Sequence, residues 1–335
     1  MSCEKLKKVY WFLLGIFPKN FQQNINGALH CLMGDWVFPK FVYPFSAPFE
    51  TLEDEEIKKR LAGLPADSIQ TALSYVLRCR NLEKVKGHPF AGGSNVIIRL
   101  ESVRNDIICT PKPHPELKKY QKMYGFKTGA EVLIYQHGLA FFKELISPYV
   151  KDKVFIDAGA CIGELIPALL EYSPQKIYAF EPSSVNAARF VKEMRKRKIS
   201  SEKVEIVVAG LGGQEGLVAF DDRGGDGQQL LGGDKMCRIT TLDKFASEQN
   251  LSAVGLIKAD VEGMGLELLR GAINTIQRDR PVLSLAAYHS VDELLGQYEF
   301  LSSCLENYHF ELRDLPPGSS FEITLLGIPR EVWIE

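Results

Sequence analysis

The chain has 335 residues, 45% hydrophobic and 24% charged, the profile of a folded globular protein and not of a disordered one. A formal net charge of −2 offers no global attraction to nucleic acid or to an anionic membrane. Seven scattered cysteines without a Cys-x-x-Cys pair argue against a disulfide framework and a zinc site, and suit a reducing, cytoplasmic setting.

Lys5, Lys7 and Lys8 precede an apolar run at residues 9–17. That run is too short to cross a bilayer, and Pro18, Lys19 and Asn20 do not make a signal cleavage pattern, so it reads as an amphipathic helix. Residues 51–64 open on a threonine cap, carry Asp54, Glu55 and Glu56 early and Lys58, Lys59 and Arg60 late, the order that complements a helix dipole. Residues 67–82 place Ile69, Ala72, Leu73, Tyr75 and Val76 near helical spacing. Three prolines within 111–115 mark a linker. Two domains are therefore expected: a mainly helical region at 1–125, serving acceptor binding or oligomerisation, and a second domain at 126–335.

From about residue 150 short apolar runs alternate with helical segments. The runs are 154–157, 177–180, 204–208, 256–259 and 281–288; the helices include 184–198, 266–278 and 291–308. Continuous apolar strands separated by helices form a parallel sheet covered on both faces. Two further extended stretches, 309–315 and 321–328, flank Pro316-Pro317-Gly318 and should pair antiparallel. The expected fold class is α/β: a doubly wound, mostly parallel seven-stranded sheet ending in an antiparallel hairpin.

The first run leads into Asp157-Ala158-Gly159-Ala160-Cys161-Ile162-Gly163, with a helix expected from Glu164. Ligands of open parallel sheets sit beyond the carboxyl ends of strands. Gly159 lets the chain turn and leaves space for a ligand, and Gly163 permits tight packing. Asp157 can accept hydrogen bonds from loop amides or a cofactor. Glu181 ends the second run, where one carboxylate can take both hydroxyls of a ribose, and Pro182 fixes its direction. A dinucleotide needs Gly-x-Gly-x-x-Gly and a helix start aimed at its phosphates; here Cys161 replaces the second glycine and Glu164 is acidic. The pattern suits an uncharged adenosine, and the alternative is a tight turn with a surface glutamate.

The segments VFIDAGACIGE (154–164), YAFEP (178–182), TTLD (240–243), IKADVEGMGLELLRGA (257–272) and PVLSLAAYH (281–289) resemble, in order and spacing, the FkbM-type methyltransferase family. The resemblance covers roughly 130–330 and implies a class I methyltransferase fold, S-adenosyl-L-methionine as cofactor, and transfer to a hydroxyl of a sugar, glycan or secondary metabolite. It implies a cofactor site of Asp157, Gly159, Ala160, Cys161, Gly163, Glu181, Pro182, Ala209 and His137, the last within a Tyr135–Gly138 segment that is either a lid contact or plain loop. The chain departs from the family at Gly265, where an acid is usual in Asp-x-Glu-Gly-x-Glu.

Methyl transfer to a hydroxyl benefits from a general base. Asp260, Glu262 and His289 fall where strand ends would deliver them: Asp260 at the methyl end of the cofactor, His289 or Glu262 as base. Helix capping is the other use of Glu262 and His289, and Ser290 reads as an N-cap. Residues 221–234, rich in glycine, are either a mobile flap or a disordered insertion. No metal-ligand spacing is present, and no transmembrane segment. The partner is a small-molecule or glycan acceptor, with a homo-oligomer possible and no nucleic acid. A nicotinamide-dependent (NAD) oxidoreductase and a non-catalytic binding module are the competing functions.

Overall fold

The computed structural model describes residues 36–37, 47–85, 98–99, 114–220, 222, 235–315 and 322–332. The apolar run at 9–17, most of the prolines at 111–115 and nearly all of 221–234 lie outside these residues. The chain divides into two compact units, Met1–Thr51 with Ser74–Lys112, and Leu52–Leu73 with Pro113–Glu335. In the first, Phe49 packs edge-on against Tyr75 at 5.1 Å between ring centres, and Trp36–Val37 pairs antiparallel with Ile98–Arg99.

The second unit is built on seven strands: β1 Val154–Ala158, β2 Lys176–Phe180, β3 Val204–Val207, β4 Val254–Ala259, β5 Val282–Ala286, β6 Tyr308–Asp314 and β7 Ile323–Pro329. Their order is 3-2-1-4-5-7-6, with β7 antiparallel to both β5 and β6 and the rest parallel. This is the doubly wound sheet with a C-terminal antiparallel hairpin that the apolar runs led to. The order reverses beside β1, so ligand-binding loops converge at its tip.

Register explains the burial. Val204, Ile177, Phe155, Leu256 and Val282 are successive cross-strand partners and form one apolar row across five strands. They pack with Leu133, Ile146, Val150, Ile166 and Leu169 from helices on that face. On the other face Phe245, from the helix Leu242–Glu248, meets Tyr178 and Phe180 edge-on. One residue pair further along the strands, on the first face, the row becomes polar: Asp157, Lys258 and Ser284 are neighbours. The sheet is thus apolar through its middle and polar at the ends that meet the loops.

Several boundaries differ from expectation. The helix Asp54–Arg60 has Glu53 at its N-cap, not Thr51, and no side-chain cap. The helix expected at 266–278 is two, Gly265–Arg270 and Ile273–Asp279, broken at Gly271, where a side chain would overlap the carbonyl of Gly212. That at 291–308 begins as a wide turn, Asp292–Gly296, and ends at Cys304. The helix expected from Glu164 starts at Ile166. An additional three-stranded sheet, Gly210–Leu211, Gly216–Phe220 and Lys235–Thr240, had no counterpart in the apolar runs.

Candidate functional site

The loop after β1 is closed by its own amides. Gly159 and Ala160 donate to the Phe180 carbonyl at 3.0 and 3.1 Å, Cys161 donates to Oε2 of Glu181 at 2.9 Å, and Gly163 donates to Ala160 at 2.7 Å. Cys161 sits at φ 46°, between Gly159 at 76° and Gly163 at 85°. A side chain on Gly159 would overlap the Asp260 carbonyl, so this glycine lets the loops after β1 and β4 touch. Gly163 has the packing role expected, against Phe190 and Met194 of the helix Ser184–Lys196.

Glu181 lies at the tip of β2 and is 6% exposed. Its other oxygen accepts from the Ser183 amide at 2.8 Å. Burial pushes this carboxyl up to about 7, against the opposing hydrogen bonds from Ser183 and Cys161. Two amides and the Asn186 side chain therefore aim this buried carboxylate at the tip of β2. Pro182 lies beside Gly210, and buried Ala209 hydrogen-bonds the Val207 carbonyl, so both flank Glu181.

Asp157 does not reach the loop amides. It is 1% exposed, and its partner is Lys258, with Nζ 3.3 Å from Oδ1. Lys258 also donates to the Gly159 carbonyl at 3.0 Å. Burial pushes the Asp157 carboxyl up, with Lys258 pulling it partly back. Burial would lower Lys258, but Asp157 and Asp260 outweigh it and hold the ammonium above its ordinary value. Sequence reasoning passed over Lys258, although a lysine inside a continuous apolar strand is the signal for a buried ion pair.

Asp260, Glu262 and His289 come together. His289 Nε2 is 3.6 Å from Asp260 and 3.5 Å from Glu262, and its Nδ1 is 2.7 Å from Glu293. The Tyr288 hydroxyl donates to both Asp260 oxygens at 3.1 and 3.2 Å. Burial would raise Asp260, but the charges of Lys258 and His289 and this hydrogen bond hold it below the usual carboxylate range. For His289, burial is outweighed by Glu293, Asp260 and Glu262, which push it up to about 9. The Asp260 and Glu262 side chains are 21% and 25% exposed, His289 only 2%. The carboxylates face outward and the imidazole stands behind them.

His137 is buried nearby, its backbone carbonyl accepting from Ser284 Oγ at 2.6 Å. Burial, aided by Lys258, pushes its ring down to about 3, so it stays neutral. It stands on the Asp260 side, whose charge it feels, and not beside Glu181. Gln136, His137, Cys161 and Glu262 all adopt left-handed backbone, a concentration of strain typical of functional loops.

Two outcomes test this electrostatic arrangement. Lys258→Met strands the buried Asp157 charge and should cost about 3–5 kcal/mol in urea melts, with Asp157→Asn recovering part of the loss in the double variant. Glu181 has a folded pKa above its unfolded one, so its contribution is complete below pH 4.5 and is lost as pH rises through about 7. Stability should fall by up to about 3 kcal/mol over that window, and Glu181→Gln should flatten the slope.

Residues 157–314 match the family model of the methyltransferase FkbM domain. No curated protein matches the chain. Among solved structures it is similar to a methyltransferase FkbM from Methylobacillus flagellatus KT, 18% identical with a TM-score of 0.46, over 78% of this chain and 60% of that one. It is similar also to an O-methyltransferase from Bacillus cereus in complex with SAH, 11% identical with a TM-score of 0.41, over 64% and 91% of the two chains. This chain thus spans 60% of the length of the Methylobacillus protein. The family match runs from the tip of β1 to the end of β6 and covers just under half of the chain.

Proposed function

We propose that the protein is an S-adenosyl-L-methionine-dependent methyltransferase acting on a hydroxyl of a sugar, glycan or secondary metabolite. The observation that carries this reading is Glu181: a buried carboxylate at the switch point of the sheet, aimed by the Cys161 and Ser183 amides. Such a group accepts from the two hydroxyls of a ribose.

A dinucleotide is disfavoured by the loop itself. The amides that would cradle a diphosphate are turned inward, those of Gly159 and Ala160 to Phe180 and that of Cys161 to Glu181. The carboxylate of Glu181 would repel phosphate at the same place. An adenosyl ligand without phosphate has neither conflict, so the residues present fit S-adenosylmethionine.

When bound, the cofactor supplies a methyl group already activated on a sulfonium. The chain's part is then to position and to move a proton. Glu181 holds the ribose, with Pro182 and Ala209 beside it. Asp260, held by Tyr288 and kept ionised by the charge of Lys258, lies beside the position for the methyl group, where a negative charge suits a sulfonium. We assign the removal of the acceptor's proton to Glu262, because His289 stands behind the carboxylates and already carries its proton at neutral pH.

The test is calorimetry on the full chain with S-adenosylhomocysteine and with NAD. Binding of the first and not the second is expected, and the opposite result overturns the assignment. Affinity for S-adenosylhomocysteine should rise between pH 6 and 8 as Glu181 ionises through about 7, and Glu181→Ala should abolish that rise.

A further inference from the structure

Glu293 is the most fully bonded carboxylate near the strand tips, and nothing in the proposed reaction uses it. Its side chain is 1% exposed. Oε1 accepts from the amides of Gly263 and Gly265, both at 3.1 Å. Oε2 accepts from the His289 amide at 3.2 Å and meets the His289 ring at Nδ1 at 2.7 Å. Four donors on one buried carboxylate satisfy it without any contact to solvent. The donors come from two places: the loop after β4, which carries Asp260 and Glu262, and the loop after β5, which carries Tyr288 and His289.

Gly265 makes this possible. A side chain there would lie 2.9 Å from Glu293 Oε1 and 2.6 Å from Gln297 Nε2. The position that lacks an acid in the sequence is thus covered by a carboxylate from another element. Ser290 accepts from the Glu293 amide at 3.1 Å and starts the turn that swings Glu293 back over both loops.

We propose that Glu293 is a positioning residue, which bolts the loop after β4 to the loop after β5 and holds His289 as an imidazolium behind Asp260 and Glu262. This rests on the reading of Glu262 as the base, since it explains why the histidine does not compete for that role. A carboxylate only accepts hydrogen bonds, so Nδ1 carries a proton toward Glu293 and Nε2 is directed at the outer pair. The groups facing His289 are Glu293 from its own segment, Asp260 and Glu262 from the loop after β4, and the adjoining Tyr288 ring at 4.0 Å. Lys258, acting on Asp260, and the neutral ring of His137 lie beyond. Three carboxylates around one buried ring favour its charged form, and the innermost is the one in hydrogen-bond contact.

The experiment is a nuclear magnetic resonance titration of the histidine rings in the full chain, with the His289 signal identified by its loss in His289→Asn, and calorimetry with S-adenosylhomocysteine on the same samples. In the wild type His289 is expected to stay protonated through pH 8. In Glu293→Gln its midpoint should fall by about two pH units or more, as burial is no longer opposed by the nearest charge. S-adenosylhomocysteine affinity should stay within about threefold, because Glu293 is not part of the nucleoside site. If that variant does not fold, Gly265→Ala, which pushes on Oε1 and removes no charge, should move the midpoint in the same direction by less. A wild-type midpoint near 6.5, or an unchanged midpoint in Glu293→Gln, overturns the proposal. Failure of the wild type to bind S-adenosylhomocysteine would instead sink the cofactor assignment and leave the His289 titration to judge Glu293 separately.

Discussion

The ammonium of Lys258 is buried at the loop end of a sheet covered on both faces, and the geometry of the strand tips follows from what it requires. A buried cation needs a counter-charge and hydrogen-bond acceptors, since water cannot supply them. Asp157, its cross-strand partner, supplies the charge, and the carbonyl of Gly159 supplies an acceptor one residue beyond the strand. The loop after β1 is therefore fixed from beneath at Gly159. From there the chain turns through left-handed backbone at Cys161, and its amide arrives at Glu181. The same ammonium also biases Asp260, two residues on in the loop after β4, toward the ionised form.

A second organising group lies across the site. Glu181 is aimed by amides of the loop after β1 and of the turn after β2, and Glu293 by amides of the loops after β4 and β5. Each joins two loops that the sheet alone brings only near one another. Between them stand Asp260, Glu262, Tyr288 and His289, a group in which every charge has an opposite neighbour. Preorganisation of this kind matters for methyl transfer, where alignment and a dry, polar pocket account for most of what a protein can contribute.

The sheet was legible in the sequence because a parallel strand buried on both faces must be apolar throughout, as 154–157, 177–180 and 256–259 are. The helices were less so. Gly271 ends one because a carbonyl from elsewhere occupies the space of its side chain, a tertiary fact that spacing does not encode. The strand Gly216–Phe220 was passed over although Leu217–Phe220 is apolar, because that run is short and leads into the glycine-rich 221–234, and Gly210–Leu211 is too short to register. Within the site, Glu181 and the turn glycines were readable from position alone. Lys258 was not, because counting apolar residues passes over the one charge in the run. Ser290 and Glu293 have the spacing of a capping box, but the Glu293 side chain bonds to His289, Gly263 and Gly265, and those contacts exist only once β4 and β5 are adjacent.

Central to the proposed function is whether Glu181 holds a ribose. The direct measurement compares S-adenosylhomocysteine with its 2′-deoxy analogue, each titrated into the wild type and into Glu181→Ala. If the carboxylate holds the hydroxyls, deleting one should weaken binding to the wild type on the order of tenfold and make little further difference to the variant. An equal loss in both proteins would contradict the account.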